Sequence, residues 1–289
     1  MTEVRRKPNP VQVKQNRKDG VEYLTFPLLE ATGLVRHLFS TRLGGVSEGI
    51  FSSMNLSYSR GDKKEAVDEN YRRIAKVLGG EVSDMVCSDQ THTTNVRMVN
   101  RKDCGKGIII PKDYTDVDGL ITNVPGIILA TFYADCVPLF FIDTKERAIG
   151  LSHSGWRGTV GRMGQHTIEA MTKEFGTRAE NVVAAIGPSI CQECYEVSSD
   201  VAEVFYQEFS GSEQGKEILY DKGNGKYQLN LWKANQIVLQ EAGVRPENIQ
   251  VTDICTCCNP QYLFSHRASQ GRRGNLGAFL GLLPEKQET

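Results

Sequence analysis

The chain of 289 residues is 39% hydrophobic and 24% charged, a composition typical of a globular protein with a sizeable buried core. Its 34 Lys and Arg residues nearly balance 35 Asp and Glu residues, so the net charge of −1 provides no basic field for binding nucleic acid. The polar N-terminal stretch lacks the apolar segment of a signal peptide, and no apolar run reaches the ~18 residues that a bilayer span requires. The composition therefore predicts a cytoplasmic protein with no membrane or nucleic-acid partner.

Short apolar runs bounded by turn residues predict that strands outnumber helices. The predicted strands are 21–26, 37–39, 85–88, 96–99, the end of 116–122, 127–133, 137–142, 148–152, 182–186, 249–254 and 277–283. The predicted helices are 63–78, begun by Asp62, 159–175, begun by Thr159, 198–209 and 231–242. Residues 144–147 form a polar break that predicts a hairpin. Residues 1–20 are expected to form a flexible or edge segment, and residues 21–289 a single domain.

A glycine- and serine-rich stretch, residues 40–57, is expected to form a loop. Gly44-Gly45 permits backbone angles that other residues avoid, so such a loop can bring backbone N–H groups close to an anion or a sugar. A plain surface loop explains the same composition equally well.

Three residues beside predicted strand ends could together form one site: His92, Cys136 and His153. Each is flanked by small or polar residues, and two imidazoles with one thiolate suit Zn²⁺ or copper. Three protein ligands with an open fourth position are typical of a catalytic zinc site rather than a structural one. No compact motif ties the three together, so their spacing alone is weak evidence.

The remaining cysteines support a competing metal site. Eight cysteines in a chain of this length do not suggest a secreted disulfide scaffold, and in a reducing compartment such thiols are buried, metal-binding or catalytic. Cys191 and Cys194 form one C-x-x-C pair, and Cys255 and Cys258, beside Cys257, form another. Roughly 60 residues lie between the pairs, far more than the usual spacing of a zinc ribbon. Whether these five thiols are idle therefore stays open.

Some of the same residues also resemble the motifs of other enzyme classes. Cys136 and His153 also suit a nucleophile and its base, which would make a cysteine hydrolase or acyl transferase. Cys191-x-x-Cys194 only mimics the P-C-x-x-C of cytidine-type deaminases, because the H-x-E partner is missing. Neither a dinucleotide-binding G-x-G-x-x-G after a strand nor a P-loop is present in the sequence.

Seven ordered motifs together resemble the YfiH/YlmD family, also called the multicopper polyphenol oxidase (laccase) domain family. The motifs are FSTRLGGVSEGIFSSMNLS (39–57), DQTHTTNV (89–96), DVDGLIT (116–122), ADCVPLFFID (134–143), HSGWRGT (153–159), IGPSICQECYEV (186–197) and CTCC…LFSHR (255–267). The resemblance spans about residues 30–283. This sequence differs from the family's commoner Q-V-H-G and A-H-A-G-W-R-G motifs at Thr91, Thr93, Ser152 and Ser154, so the packing around the ligands is expected to differ.

The resemblance implies both a fold and a metal site. It implies a layered α/β/β/α domain of class α/β (α+β) with mixed β-sheets, similar to the catalytic domain of cytotoxic necrotizing factor. It implies that His92, Cys136 and His153 are the catalytic metal ligands, with zinc as the expected ion and copper as the alternative. One three-ligand site is not the multi-centre copper array that laccase chemistry uses, so the resemblance favours a function other than polyphenol oxidation.

The activity implied is that of a metal-dependent purine nucleoside phosphorylase with adenosine deaminase activity, acting on adenosine, inosine or methylthioadenosine. Phosphate needs a cationic clamp, for which Arg42 and Arg157 are the candidates and Arg267 a third. Asn55 is the candidate contact to the sugar, and Asp135 is the candidate to orient a metal ligand. A cysteine hydrolase, a copper-dependent polyphenol oxidase and a non-catalytic metal-binding protein remain alternatives. The sequence leaves open whether the chain is a monomer or a homodimer.

Overall fold

The computed structural model describes residues 1–211 and 213–285, in which strands outnumber helices. The strands are β1 (Lys14–Lys18), β2 (Val21–Thr25), β3 (Val35–Ser40), β4 (Met85–Cys87), β5 (Val96–Met98), β6 (Gly119–Thr122), β7 (Ile128–Tyr133), β8 (Val137–Asp143), β9 (Ala148–Ser154), β10 (Val182–Ile186), β11 (Glu196–Ser198), β12 (Leu219–Asp221), β13 (Lys226–Leu229), β14 (Ile249–Val251) and β15 (Leu276–Leu282). The helices are α1 (Pro27–Glu30), α2 (Lys64–Leu78), α3 (Trp156–Val160), α4 (Met163–Phe175), α5 (Ser199–Phe209), α6 (Leu231–Glu241) and α7 (His266–Ser269).

Two six-stranded sheets form the centre of the fold, as the predicted mixed-sheet class requires. The first sheet has the order β1-β2-β3-β15-β7-β4, and the second has the order β14-β10-β8-β9-β6-β5. Both are mixed, because β4 runs parallel to β7, and β5 and β14 run parallel to β6 and β10, within otherwise antiparallel sheets. A small third sheet contains β11, β13 and β12.

The predicted hairpin between β8 and β9 is confirmed. The two strands pair antiparallel from Val137 opposite Ser154 to Asp143 opposite Ala148. Asp143 Oδ1 closes the turn by accepting hydrogen bonds from the backbone N–H groups of Lys145 and Glu146, at 2.8 and 3.1 Å. This register places the end of β9, with His153, beside the start of β8, which follows Cys136 directly.

The side chains alternate between two apolar layers, which explains the unbroken apolar runs in the sequence. Phe140 belongs to the core between the two large sheets, whereas Phe141 packs on the other face, in the cluster that includes residues of α4, α5 and α6. In the first sheet Leu129 faces the same central core, and Ile128 packs with residues of α2. The order of layers is therefore helix, sheet, sheet, helix, as expected.

Part of the N-terminal segment, residues 1–20, lies at the edge of the first sheet. Strand β1 pairs antiparallel with β2 along its whole length and forms one edge of the first sheet. Upstream of it, Arg6 forms an ion pair with the buried carboxylate of Asp253, and the Lys7 N–H donates to the Asp253 carbonyl at 2.8 Å. The sequence shows only a polar stretch here, because the partner of Arg6 lies at the far end of the chain.

Two predicted helix starts are wrong in detail. The helix predicted from Thr159 to residue 175 is two helices, because Arg162 adopts a left-handed backbone conformation (φ 60°) between α3 and α4. The Thr159 hydroxyl lies inside α3 and donates to the Gly155 carbonyl at 2.9 Å. Helix α2 starts after Lys63 without a side-chain cap, and Asp62 accepts hydrogen bonds from the Lys63 N–H and the Asn55 amide instead of capping the helix. Among residues 1–211 and 213–285, no helix has both the length and the apolar character that a bilayer span requires.

Candidate metal centre and substrate cavity

The three predicted ligands meet at one point of the fold. Strands β4 and β7 are parallel neighbours, so the loop that carries His92 and the turn that carries Cys136 leave the same edge of the first sheet. The hairpin register adds His153 from the second sheet. The nearest side-chain ligand atoms of all three residues lie within 4.8 Å of one another. His92 Nε2 is 3.9 Å from Cys136 Sγ, and the two imidazole rings lie edge to face with centroids 4.9 Å apart.

One carboxylate that the sequence analysis missed orients this cluster. Asp118 Oδ1 accepts a hydrogen bond from His153 Nδ1 at 2.7 Å, which leaves His153 Nε2 as the free ring nitrogen. The same carboxylate accepts from the backbone N–H groups of Thr91, His92 and Thr93, at 3.0, 3.2 and 2.9 Å. Asp118 therefore fixes both the ring of His153 and the loop that carries His92. In the sequence, Asp118-Gly119 indicated only a turn.

The protonation states follow from this arrangement. Burial alone would raise the pKa of Asp118, but the hydrogen bond and charge of His153 and the backbone N–H donors lower it to about 2. Burial likewise opposes ionisation of Cys136, yet the charge of His153 and hydrogen bonds from both imidazoles lower the thiol pKa to about 6. Burial would lower the pKa of His153, but the charge of Cys136 and the hydrogen bond to Asp118 raise it to about 9. Cys136 is thus poised as a thiolate, the form that binds metals.

The residues fit a tetrahedral metal ion with one open position. Two imidazoles and one thiolate are a donor set that zinc accepts, and a carboxylate behind a ligating histidine is the usual supporting contact. Gly155 leaves the space clear, because a Cβ at that position would lie 2.8 Å from His92 Cδ2 and 3.2 Å from Cys136 Sγ. The donor set and this tight packing identify a candidate metal site.

A cavity of about 470 Å³ contains the three ligands in its lining. Its volume is in the range of small-molecule sites. Four aromatic side chains contribute to its walls: Tyr58, Tyr71, Phe132 and Tyr133. Three cationic side chains also line it: Arg60, Lys112 and Arg273. The cavity therefore combines flat apolar surfaces with positive charge beside the candidate metal ligands.

The two arginines of the cavity carry positive charge without acidic partners. Arg273 is 8% exposed, and burial together with the positive charge of Arg60 lowers its pKa to about 10. Its Nη1 donates to the Gly274 carbonyl and to the Asn275 side chain, whereas its buried Nε has no hydrogen-bond partner. Within residues 1–211 and 213–285, neither Arg60 nor Arg273 takes part in an ion pair. Lys112 differs, because it pairs with Asp89. Two like charges in one cavity favour an anion between them.

The three arginines predicted to clamp phosphate lie outside the cavity lining. Arg42 donates to the carbonyls of Ser52 and Pro260, at 2.8 and 2.7 Å, and its guanidinium stacks on Phe264. Exposed Arg157 stacks on its neighbour Trp156, with Cζ 4.2 Å from the ring centroid. Exposed Arg267 donates to the Glu196 carbonyl at 3.0 Å and stacks on Tyr195. Each of these guanidinium groups contacts a carbonyl or an aromatic ring outside the cavity, so the cavity geometry favours Arg60 and Arg273 for an anion.

Asn55 and Asp135 have contacts that differ from those expected from the sequence. Asn55 is fully buried, and its side-chain amide donates to the Ser57 carbonyl and the Asp62 carboxylate, at 3.1 and 2.9 Å. Its exposed fraction is 0%, which leaves no surface for a sugar. Asp135 accepts hydrogen bonds from Thr256 Oγ1 at 2.6 Å and from the Arg267 N–H at 2.7 Å, so both of its carboxylate oxygens contact other loops.

The glycine loop, residues 40–57, is a packed structural loop at Gly44-Gly45. A Cβ at Gly44 would lie 2.5 Å from the Gly20 carbonyl oxygen, and a Cβ at Gly45 would lie 2.0 Å from the Ser53 carbonyl oxygen. These glycines therefore permit a close approach of two backbones, and the alternative of an anion-binding loop is not realised at these positions.

The chain is similar to known proteins over most of its length. The family model described as multi-copper polyphenol oxidoreductase laccase matches residues 36–283. A protein of Deinococcus radiodurans named purine nucleoside phosphorylase is 37% identical over 264 residues, which cover 91% of this chain and 96% of the relative. Purine nucleoside phosphorylase YlmD of Bacillus subtilis is 34% identical over 248 residues, covering 84% and 87%. Adenosine deaminase RL5, from an unknown prokaryotic organism, is 33% identical over 231 residues, covering 79% and 87%.

Solved structures give the same result for the fold. The crystal structure of YlmD from Geobacillus stearothermophilus superposes with a TM-score of 0.86 at 32% identity, covering 95% of this chain and 100% of that one. YfiH of Bacillus licheniformis gives the same TM-score at 30% identity, covering 92% and 98%. The chain therefore belongs to the YfiH/YlmD family, the family described as multi-copper polyphenol oxidoreductase laccase.

Proposed function

We propose that this chain is a metal-dependent purine nucleoside phosphorylase that acts on adenosine, inosine and methylthioadenosine, with adenosine deaminase as a second activity. The names of relatives that align over most of the chain support the assignment. The observation that carries it is the cavity, in which the ligand cluster His92–Cys136–His153 lies together with the unpaired cations Arg60 and Arg273. A nucleoside needs flat apolar walls, and its co-substrate phosphate needs cations.

The three ligands would hold zinc, with copper as the alternative ion. Such an ion would supply a Lewis acid at this point of the cavity. Asp118 keeps His153 in the tautomer that presents Nε2, and it holds the His92 loop against the cluster through backbone N–H bonds. The chain thereby orients the donor atoms before substrate enters.

Arg60 and Arg273 would hold phosphate, because guanidinium groups match phosphate geometry and neither group has an acidic partner among the described residues. In phosphorolysis a phosphate oxygen forms a bond to C1′ of the ribose as the C1′–N9 bond breaks. The electron pair of that bond stays with the purine, which takes up a proton, and the products are the free base and ribose 1-phosphate. The positive charge of the arginines keeps the dianion in place for this attack.

The alternative of a cysteine hydrolase uses the same atoms of Cys136 and His153. It gives no role to His92, whose Nε2 lies 3.9 Å from the Cys136 sulfur in the same cluster. A third donor at this distance favours a metal site over a nucleophile and base. We further propose that residues 21–289 act as a single catalytic domain in the cytoplasm.

Adenosine separates the two proposed activities in one experiment. Phosphorolysis converts it to adenine only when phosphate is present, whereas deamination converts it to inosine and ammonia with water alone. Chromatography of the products, with and without phosphate, is expected to show both routes, and chelation of the metal is expected to abolish them. A cysteine hydrolase would instead be inhibited by thiol alkylation and unaffected by chelation. Absence of adenine and of inosine would contradict the proposal.

A further inference from the structure

A second cluster of cysteines lies apart from the catalytic cavity. The Sγ atoms of Cys191, Cys194, Cys255 and Cys258 all lie within 4.8 Å of one another. Cys258 Sγ is 3.9 Å from Cys191 Sγ and 3.5 Å from Cys194 Sγ. Cys191 and Cys255 are buried, and the other two are partly exposed. None of these residues lines the cavity that contains His92.

The fold explains how two C-x-x-C pairs that are distant in sequence come together. Strands β10 and β14 are parallel neighbours, so the loops that follow them leave the same edge of the second sheet. A bridge between Ser189 and Cys255 continues this pairing, and the Thr256 N–H donates to the Ser189 carbonyl at 3.1 Å. Parallel strand pairing therefore replaces the short linker of a zinc ribbon.

The sulfur separations fit one tetrahedral ion. Four sulfurs at the Zn–S distance of ~2.3 Å from a common centre lie ~3.8 Å apart, close to the two separations given above. A disulfide needs ~2.05 Å, so no pair is bonded, and all eight cysteines are free. An iron–sulfur cluster places several iron and sulfide atoms between its thiolates and would hold the sulfurs farther apart.

Backbone N–H groups are already directed at one of these sulfurs. Cys255 Sγ accepts hydrogen bonds from the N–H of Cys191 at 3.2 Å and from the N–H of Cys258 at 3.4 Å. Such donors stabilise negative charge on sulfur, which is the state of a zinc-bound thiolate. They also fix the two loops relative to each other before an ion binds.

We propose that Cys191, Cys194, Cys255 and Cys258 bind one Zn²⁺ ion as a closed structural site, separate from the catalytic ligands. Four protein ligands leave no open position for substrate, which is the mark of a structural site. The two bridged loops hold Asp135, since the Ile190 N–H donates to its carbonyl at 3.0 Å and Thr256 Oγ1 donates to its carboxylate. Asp135 directly precedes Cys136, so this zinc braces the turn that carries a catalytic ligand.

The test counts zinc in a protein whose catalytic ligands are removed. The double variant His92→Ala/Cys136→Ala is purified, dialysed against a mild chelator and measured by elemental analysis. The site is expected to retain one zinc per chain. Adding Cys194→Ser to this background is expected to remove it, whereas the neighbouring control Cys257→Ser keeps it, because Cys257 lies outside the cluster. A double variant without metal, or one that loses no zinc with Cys194→Ser, overturns the proposal.

A spectroscopic measurement leaves all four cysteines in place, so it does not depend on the folding of a cysteine variant. Cobalt(II) replaces zinc in the same double variant, and its absorption spectrum is recorded. A tetrahedral tetrathiolate site is expected to give intense visible bands and a sulfur-to-cobalt charge-transfer band in the near ultraviolet. A spectrum without thiolate charge transfer, together with four extra thiols that react freely with a thiol reagent, contradicts the site. Neither readout uses nucleoside turnover. A failure of the proposed zinc site is therefore distinguishable from a failure of the proposed enzyme activity.

Discussion

The carboxylate of Asp118 accepts hydrogen bonds from His153 Nδ1 at 2.7 Å and from the backbone N–H of His92 at 3.2 Å. Two ligands from different sheets thus share one orienting group. This contact gives Asp118 a supporting role at the candidate metal site, where it would orient two of the proposed ligands.

Replacing this carboxylate tests that role. Asp118→Asn keeps the size of the side chain but removes the charge that holds His153 and the Thr91–Thr93 backbone. We expect metal affinity to fall about 10- to 100-fold, the usual effect of losing such a support. Zinc competition with a chromophoric chelator measures it. Asp116→Asn is the matched control, because Asp116 is exposed and its carboxylate contacts the same loop through the Thr91 hydroxyl alone. Equal affinities in the two variants would contradict the role.

Gly155 tests the packing of the ligands. Alanine is compatible with its backbone conformation (φ −72°), but the added Cβ would lie 2.8 Å from His92 Cδ2 and 3.2 Å from Cys136 Sγ. We expect Gly155→Ala to displace His92 and to lower metal content and turnover while the melting temperature changes little. Gly158→Ala is the control, because its Cβ would meet no atom closer than 3.5 Å. Full metal content in Gly155→Ala would show that His92 is not held at the site.

The cavity arginines are expected to bind phosphate. Losing a charged hydrogen bond costs about 1.5–3 kcal/mol, so Arg60→Ala and Arg273→Ala should raise the phosphate KM about 10- to 100-fold. The nucleoside KM is expected to change less. Steady-state kinetics at varied phosphate measures both, with Arg157→Ala as the control, because that guanidinium stacks on Trp156 outside the cavity. A larger effect from Arg157→Ala than from the cavity variants would restore the sequence-based assignment.

Buried His37 predicts a pH dependence of stability that is independent of the catalytic site. Burial lowers its pKa to about 4, and its Nε2 accepts a hydrogen bond from the Phe26 N–H at 2.9 Å. In the unfolded chain the imidazole has its ordinary pKa of about 6.5, so between pH 6.5 and 4 only the unfolded state binds the proton. The stabilisation is therefore complete above pH 6.5 and is lost as the pH falls.

The size of that loss follows from the shift. Lowering the pKa of His37 from 6.5 to about 4 corresponds to a loss of about 3 kcal/mol of unfolding free energy between pH 7 and pH 4. Urea unfolding at several pH values measures it, and His37→Gln, whose amide oxygen can accept from Phe26, is expected to flatten the curve by that amount. His166→Gln, at an exposed helix position, is the matched control. An unchanged curve in His37→Gln would show that another group causes the acid sensitivity.

The parts of this structure that could be predicted from sequence are those with local patterns. The hairpin of β8 and β9 follows from two apolar runs around a polar break, and helix α2 follows from its apolar stripe. The candidate ligands His92, Cys136 and His153 could be predicted because each is a reactive residue beside the end of an apolar strand. The family motifs contain all three. Each of these signals lies within a few residues of the feature it indicates.

The remaining site residues depend on contacts between distant parts of the chain. Asp118 looks like a turn residue until the sheet pairing brings it to His153. Arg60 and Arg273 have no local pattern, and only the closed cavity distinguishes them from Arg42, whose guanidinium is occupied by backbone carbonyls. The cysteine pairs likewise meet only through the pairing of β10 with β14.

The most direct test of the central claim follows the products formed from inosine. Purified, zinc-loaded protein is incubated with inosine in the presence and absence of phosphate, and hypoxanthine, ribose and ribose 1-phosphate are quantified by chromatography. The account predicts equal amounts of hypoxanthine and ribose 1-phosphate, formed only with phosphate and lost in His92→Ala. Hypoxanthine released with free ribose whether or not phosphate is present, or no release at all, would contradict it.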